Sequence, residues 1–216
     1  MRKAIVSGAN GFVGSAVVKE LISQGYELYA LVRENDYDQV PINEMVRIVP
    51  FSLENIEALG EVIPINEYEA FYHFAWNGSA GVDRADTALQ LKNAQWTVEC
   101  LQMAKRLGCK RFVPAGSIME HETIAAVYTQ GNRPGAGYIY GSGKVAAHMM
   151  CMSMAVKEGI NLVWPKITNA YGPSERSPRL VNSTIRKCIA GEDPQFTAGT
   201  QNYDFVYIDD VARAFR

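Results

Sequence analysis

The chain has 216 residues, with 21 Lys and Arg against 23 Asp and Glu, for a formal net charge of −2. That length fits one domain, or one with a small annex, and the charge balance excludes the basic excess of a nucleic-acid protein. With 48% hydrophobic and 20% charged residues the composition excludes a disordered chain, and no run reaches the roughly 18 uninterrupted apolar residues of a membrane-spanning helix. Glycines interrupt the N-terminus before any apolar signal region forms. The 4 cysteines, Cys100, Cys109, Cys151 and Cys188, form no C-x-x-C pair. They read as reduced thiols of a soluble, cytoplasmic protein.

The elements alternate. Lys3–Ser7 is a short β-like run. Val13–Ser23 is a helix with apolar Val13, Val17, Val18, Leu21 and Ile22, stopped by Gly25. Leu28–Val32, Val46–Phe51 and Ala70–Ala75 are the next strands. Thr87–Leu107 is a long helix closed by Gly108. Arg111–Ala115 is a fifth strand, and Tyr140–Glu158 a second long helix ended by Gly159. Asn161–Trp164 is a sixth strand before Pro165. Such alternation predicts βαβ units on a parallel sheet, and the apolar strands fit burial on both faces. The fold class is α/β, a Rossmann-type doubly wound sheet. The stretch from Tyr171 to Tyr207 carries Pro173, Pro178 and Pro194 and is looser, as a substrate-side excursion would be.

Gly8-Ala9-Asn10-Gly11-Phe12-Val13-Gly14 follows the first strand and opens the first helix. Gly8 permits the tight turn, Gly11 lets backbone approach a pyrophosphate, and Gly14 lets helix and strand pack closely. The helix N-terminus adds free N–H groups and a positive dipole. As a bare pattern the spacing is weak; its position between strand and helix makes it a dinucleotide turn. No acid stands at the tip of the second strand to hold an NAD ribose. Arg33 stands there instead, placed to pair with a 2′-phosphate, so NADP is expected ahead of NAD, with Glu34 and Asp36 following closely.

Tyr140 and Lys144 lie one helical turn apart on one face. A phenol with a pKa of about 10 is a poor base at neutral pH, and an adjacent ammonium favours its ionised form. The pair could then move a proton to or from a substrate oxygen. Ser117, at the carboxyl end of the fifth strand, could hydrogen-bond the reacting oxygen. A turn or helix-capping role is the plainer alternative for that serine. His73 reads as a packed strand histidine, and His121 sits in a polar loop. The histidines and cysteines show no metal-ligand spacing.

Together these residues resemble the extended short-chain dehydrogenase/reductase family, the NAD(P)-dependent epimerases and dehydratases of sugar nucleotides. The resemblance rests on Gly8, Gly11 and Gly14, on Phe71-Tyr72-His73-Phe74-Ala75, and on Asn93, Ser117, Tyr140 and Lys144. It runs on through Thr168-Asn169-Ala170-Tyr171-Gly172-Pro173 to Asp204-Phe205-Val206-Tyr207-Ile208-Asp209-Asp210-Val211-Ala212.

The resemblance implies that Ser117, Tyr140 and Lys144 form a catalytic trio. It also implies that Gly8, Asn10, Gly11, Phe12, Val13, Gly14, Arg33, Ser52, Leu53, Phe74, Ala75, Tyr140 and Lys144 line the cofactor. Ser117, Asn169, Arg179 and Tyr203 would face the substrate. It implies a homodimer through the helices at 87–107 and 140–158; Met149, Met150, Met152 and Met154 on the second could equally be core.

Three departures matter. Ile118 and Met119 stand where the family's dehydratases carry an Asp-Glu pair, so epimerase and reductase rank above dehydratase. Tyr203 stands where relatives often grip the nucleotide phosphates with arginine; Arg176, Arg179 or Arg186 could substitute. Ser52 replaces an acid expected near adenine.

The resulting expectation is an NAD(P)-dependent epimerase or keto-sugar reductase acting on a nucleotide sugar. The alternatives are a reductase of a non-sugar carbonyl and a non-catalytic NADP-binding regulator. Residues 1–168 would form the cofactor-binding, catalytic part. Residues 169–216 would form substrate-binding excursions that return to it, in a chain that is either short or a fragment.

Overall fold

The computed structural model describes residues 2–34 and 36–216. Strand β1 is Arg2–Ser7, helix α1 Phe12–Ser23, β2 Tyr26–Val32 and β3 Val46–Pro50. A 3-10 turn over Leu53–Ala58 leads into α2, Leu59–Val62, and then β4, Ala70–His73. Helix α3 is Thr87–Arg106, β5 Arg111–Pro114, β6 Gly116–Ser117, α4 Met119–Tyr128 and α5 Ile139–Glu158. Strands β7 Asn161–Leu162, β8 Lys166–Ile167 and β9 Asn169–Tyr171 follow. Helix α6 Leu180–Ile189, β10 Phe205–Tyr207 and α7 Ile208–Phe215 complete the chain.

The main sheet has six strands in the order β3-β2-β1-β4-β5-β7. Every pair in it is parallel, the doubly wound arrangement expected from the apolar runs. Alternate residues of each strand face opposite ways. Ile5, Leu31, Phe71 and Phe112 join the core under α3 and α5. Ala4, Val6, Ala30 and Val113 join the core under α1 and α7. Each fully buried large side chain, such as Phe71 or Phe112 at 0% exposure, stabilises by about 1.5–3 kcal/mol.

Strand order reverses between β1 and β4, so a crevice opens at their carboxyl ends, where sheets of this kind hold ligands. Two short parallel pairs, β6 with β8 and β9 with β10, extend the structure beyond that edge. Helix α7 then packs back beside α1, with Ile208, Val211 and Phe215 in its core.

Several boundaries differ from the sequence expectation. The fourth strand stops at His73 rather than Ala75, because Phe74 and Ala75 leave the ladder to pass over Gly8. The sixth stops at Leu162, because Trp164 turns away to bond Glu120. His121 lies in helix α4, not in a polar loop. The looser stretch after Tyr171 contains helix α6.

Candidate active site

The turn after β1 is built by close backbone approach. Gly8 has φ of +67°, and a Cβ there would stand 2.7 Å from the Ala75 backbone nitrogen. A Cβ on Gly14 would overlap the Gly8 carbonyl oxygen. The Gly11 N–H donates to that carbonyl at 3.0 Å, and Ala9 N–H donates to Leu31 at 3.3 Å. Helix α1 starts at Gly11 with no side-chain cap and no acid in its first turn. The chain therefore presents N–H groups and the helix dipole to solvent with no competing carboxylate, in a cradle that side chains would fill. The residues fit a dinucleotide pyrophosphate.

The other expected cofactor residues divide. Phe74 and Ala75 wall the turn, Phe74 edge-on to Phe215 with centroids 5.0 Å apart. Leu53 is buried in the core. Ser52 Oγ accepts the Glu54 N–H at 3.2 Å and caps the turn that follows. Beside it a hollow of about 210 Å³ opens between Glu34, Phe51, Ser52 and Asn55. Arg33 is exposed and pairs with Asp36 at 3.1 Å. His73 is packed as expected: Nδ1 lies 2.7 Å from Ser7 Oγ, and the ring stacks on Phe112. Burial pushes its pKa down to about 3.

Tyr140 opens α5, Ser117 lies in β6, and Lys144 sits one turn beyond Tyr140. The structure brings the three together at the carboxyl edge of the sheet, with Ser117 beside the phenol. Lys144 is 5% exposed. Its Nζ donates to the Ala115 carbonyl at 2.9 Å and stands 3.6 Å over the Trp76 ring. Loss of solvent brings its pKa down to about 7, opposed by the Glu120 carboxylate.

Burial raises the Tyr140 phenol above its usual pKa. Arg84, the Ser117 hydroxyl and Arg179 pull it back, and Glu120 adds to the rise. This differs from the expectation that Lys144 would make the phenol a base. Burial dominates, and the ammonium faces Trp76 and a carbonyl, 5.9 Å from the phenol ring centroid. Ser117 Oγ also accepts the Met119 N–H at 3.2 Å, the turn bond weighed as its plainer role.

Glu120 is the residue the sequence reading passed over. It is 1% exposed. One oxygen accepts the Ser117 N–H at 2.8 Å and Trp164 Nε1–H at 3.0 Å. The other faces His148 Nδ1 at 2.8 Å and Lys166 Nζ at 3.8 Å. Ser117-x-x-Glu120 has the spacing of a capping box, of which the glutamate half, Glu120 accepting the Ser117 N–H, is formed, a signal that was available.

On the substrate side, Arg179 lies near enough to bias Tyr140. Arg186 is committed to the carbonyls of Glu175 and Ser177. Asn169 stands in β9, and its N–H donates to the Asp204 carbonyl. Tyr203, expected to face the substrate, packs edge-on to Phe205 with ring centroids 5.6 Å apart. Among the described residues no His, Cys, Asp and Glu cluster could hold a metal, and no helix is long and apolar enough to cross a membrane.

The profile of the NAD dependent epimerase/dehydratase family matches residues 4–216. The chain belongs to that family. It is 26% identical over 217 residues to dTDP-6-deoxy-L-talose 4-dehydrogenase (NAD(+)) of Aggregatibacter actinomycetemcomitans, covering 96% of this chain and 76% of that protein. It is 25% identical over 219 residues to UDP-glucuronic acid decarboxylase 1 of Xenopus tropicalis, covering 97% of this chain but 52% of the relative, about half its length.

Its fold superposes with a TM-score of 0.80, at 19% identity, on UDP-N-acetylglucosamine 4-epimerase from Methanobrevibacter ruminantium M1, solved in complex with UDP-N-acetylmuramic acid. The match covers 99% of this chain and 71% of that one. That likeness supports the Rossmann-type architecture described above.

Proposed function

We propose that this chain carries the cofactor-binding and catalytic part of an enzyme that oxidises and reduces a hydroxyl-bearing carbon of a nucleotide-activated sugar. The observation that carries the reading is the convergence of Ser117, Tyr140 and Lys144 just past the carboxyl end of β5, on the edge of the parallel sheet where the glycine turn follows β1. Residues 1–168 bind cofactor and hold the trio; residues 169–216 form the substrate side. A bound nicotinamide dinucleotide supplies hydride exchange with the substrate carbon.

The remaining steps belong to the chain. The Gly8–Gly14 turn and the first N–H groups of α1 bind the pyrophosphate. Phe74 and Ala75 exclude water from one wall. Ser117 Oγ orients the reacting oxygen. Tyr140 Oη takes the hydroxyl proton in oxidation and returns one to the carbonyl in reduction. Burial raises the proton affinity of the phenol, and the Arg84 guanidinium and the Ser117 hydroxyl work against that rise. An epimerase performs both halves on one substrate; a keto-sugar reductase performs one and releases its cofactor. A reductase of a non-sugar carbonyl is the runner-up, because Tyr203 leaves one phosphate grip unfilled.

Arg33 supports NADP as the preferred form within a family that uses NAD. Among the described residues its guanidinium pairs with Asp36, and it could exchange that carboxylate for a 2′-phosphate. Arg33→Ala should then weaken NADPH binding and leave NADH binding unchanged in calorimetry; equal loss of both removes the preference.

The free thiols fit a reducing, cytoplasmic setting. The exposed Leu91, Met149, Met152 and Val156 on α3 and α5 support a homodimer through those helices. Met149→Glu should shift sedimentation to the monomer, and an unchanged profile counts against it.

The central test is Tyr140→Phe, assayed with keto-sugar nucleotides and simple ketones. Turnover should fall about 10²- to 10⁴-fold while cofactor still binds. NADPH consumed one-for-one marks a reductase, and turnover with no net cofactor change marks an epimerase. Full activity of Tyr140→Phe would sink the reading.

A further inference from the structure

Beyond Phe74 and Ala75, which wall the phosphate turn, the loop between β4 and α3 is held tightly. Trp76 Nε1–H donates to Gln90 Oε1 at 2.8 Å, and Gln90 Nε2 donates to the carbonyls of Gly78 at 3.1 Å and Asp83 at 2.9 Å. Asn93 exchanges two bonds with the Asn77 backbone, at 2.9 and 2.8 Å. Gln90 and Asn93 are each 1% exposed, so two buried amides of α3 clamp the loop.

The clamp delivers one cation. Arg84 lies in the 3-10 turn Val82–Ala85 and donates to the Ser79 carbonyl at 2.8 Å. Its guanidinium carbon stands 4.1 Å from the Tyr140 ring centroid. Lys144 Nζ is 5.9 Å from the same centroid, so Arg84 is the closer of the two. Among the described residues no carboxylate forms an ion pair with Arg84.

We propose that Arg84 is a positioning residue that sets the proton affinity of Tyr140, its guanidinium lying over the ring where it stabilises the ionised phenol. A cation over an aromatic face is attracted by the ring, and more strongly once the phenol carries a charge. The site also needs such a group. Lys144 has lost enough solvation that its pKa falls to about 7, so near neutrality its charge is partial. A guanidinium keeps its proton at every working pH. The other charges that bear on Tyr140 are Arg179, at the start of α6, which acts with Arg84, and Glu120 of α4, which acts against it. The functional meaning rests on Tyr140 being the proton carrier, but the test uses neither substrate nor cofactor, so the two readings can fail separately.

The protein is produced with its tyrosines replaced by 3-fluorotyrosine, whose phenol is more acidic than tyrosine's, and titrated by fluorine NMR. The resonance of residue 140 is assigned by its loss in Tyr140→Phe. Arg84→Gln and Arg84→Met should each raise the midpoint of residue 140 by about 1 pH unit or more, and Arg84→Lys should hold it near the parent value. The chain has 11 tyrosines, and the others report in the same spectra that the fold is intact. An unchanged midpoint in both charge-removing variants, or an Arg84→Lys shift as large as theirs, overturns the proposal.

Discussion

The turn from Gly8 to Gly14 and the segment from Gly172 to Tyr203 each carry three glycines, yet they are held in opposite ways. The turn is wedged between backbone atoms: Ala75 crosses over Gly8, and the Gly8 carbonyl closes over Gly14. In the segment Asn182 alone is buried. Its amide bonds the carbonyls of Gly172 and Glu175, and Arg186 reaches back to Glu175 and Ser177. A region specified by sterics tolerates few sequences and announces itself. A region specified by a few polar ties on a solvated surface tolerates many, which suits the part of the site that selects a substrate.

The contrast sharpens first at Glu120, on the tightly held side. Removing this buried carboxylate strands the Ser117 N–H, the Trp164 indole N–H and His148. Glu120→Ala should destabilise the chain by about 3–5 kcal/mol in urea unfolding. Glu120→Gln, which can still accept from Ser117, should lose less. A near-neutral Glu120→Ala would mean that the α4 entry is as loosely held as residues 172–203.

Next comes Gly8→Ala. The new methyl meets the Ala75 nitrogen at 2.7 Å and the Phe74 carbonyl carbon at 2.8 Å, and both are backbone that must shift. A cost of about 3 kcal/mol is expected, with loss of NAD(H) binding in calorimetry. Intact binding would show that the turn can move.

The six strands and three long helices were legible because burial on both faces of a parallel sheet demands apolar runs, and Gly25, Gly108 and Gly159 stand just past the helices. Helices α4 and α6 were not. The first begins just past Ser117, where the serine drew attention as a reacting group and not as part of a helix entry. The second starts at Arg179 after Pro178 with no side-chain cap. In the site, the spacing of Tyr140 and Lys144 told which residues meet but not what they face. Trp76, the Ala115 carbonyl and Arg84 arrive from other elements, and only the packed chain reveals that the lysine turns toward the first two and the tyrosine ring toward the third.

A third effect is one of pH. Buried His73 has a pKa of about 3 in the folded chain against 6.5 unfolded. Its contribution is whole above pH 6.5 and is lost as the pH falls toward 3, because the unfolded chain takes up a proton that the folded one refuses. By pH 5 the loss is about 2 kcal/mol, 1.5 pH units at 1.36 kcal/mol each. Between pH 7.5 and 5, His73→Asn should therefore lose about 2 kcal/mol less stability than the parent. Parallel losses would assign the acid limb to other groups.

The smallest effect is the most diagnostic. Gly199 has φ of +70°, within a few degrees of Gly8 at +67°, but a Cβ on Gly199 meets nothing within 4 Å. The backbone penalty of placing alanine in this left-handed conformation is the same at both positions, about 1 kcal/mol. What Gly8→Ala costs beyond Gly199→Ala is then chiefly the contact with Phe74 and Ala75. Gly199→Ala should lower stability by about 1 kcal/mol or less, since the exposed loop can relax, and should leave NAD(H) affinity unchanged. If the two substitutions cost the same, the close approach at Gly8 is not what holds the turn, and the contrast between the two regions fails at its root.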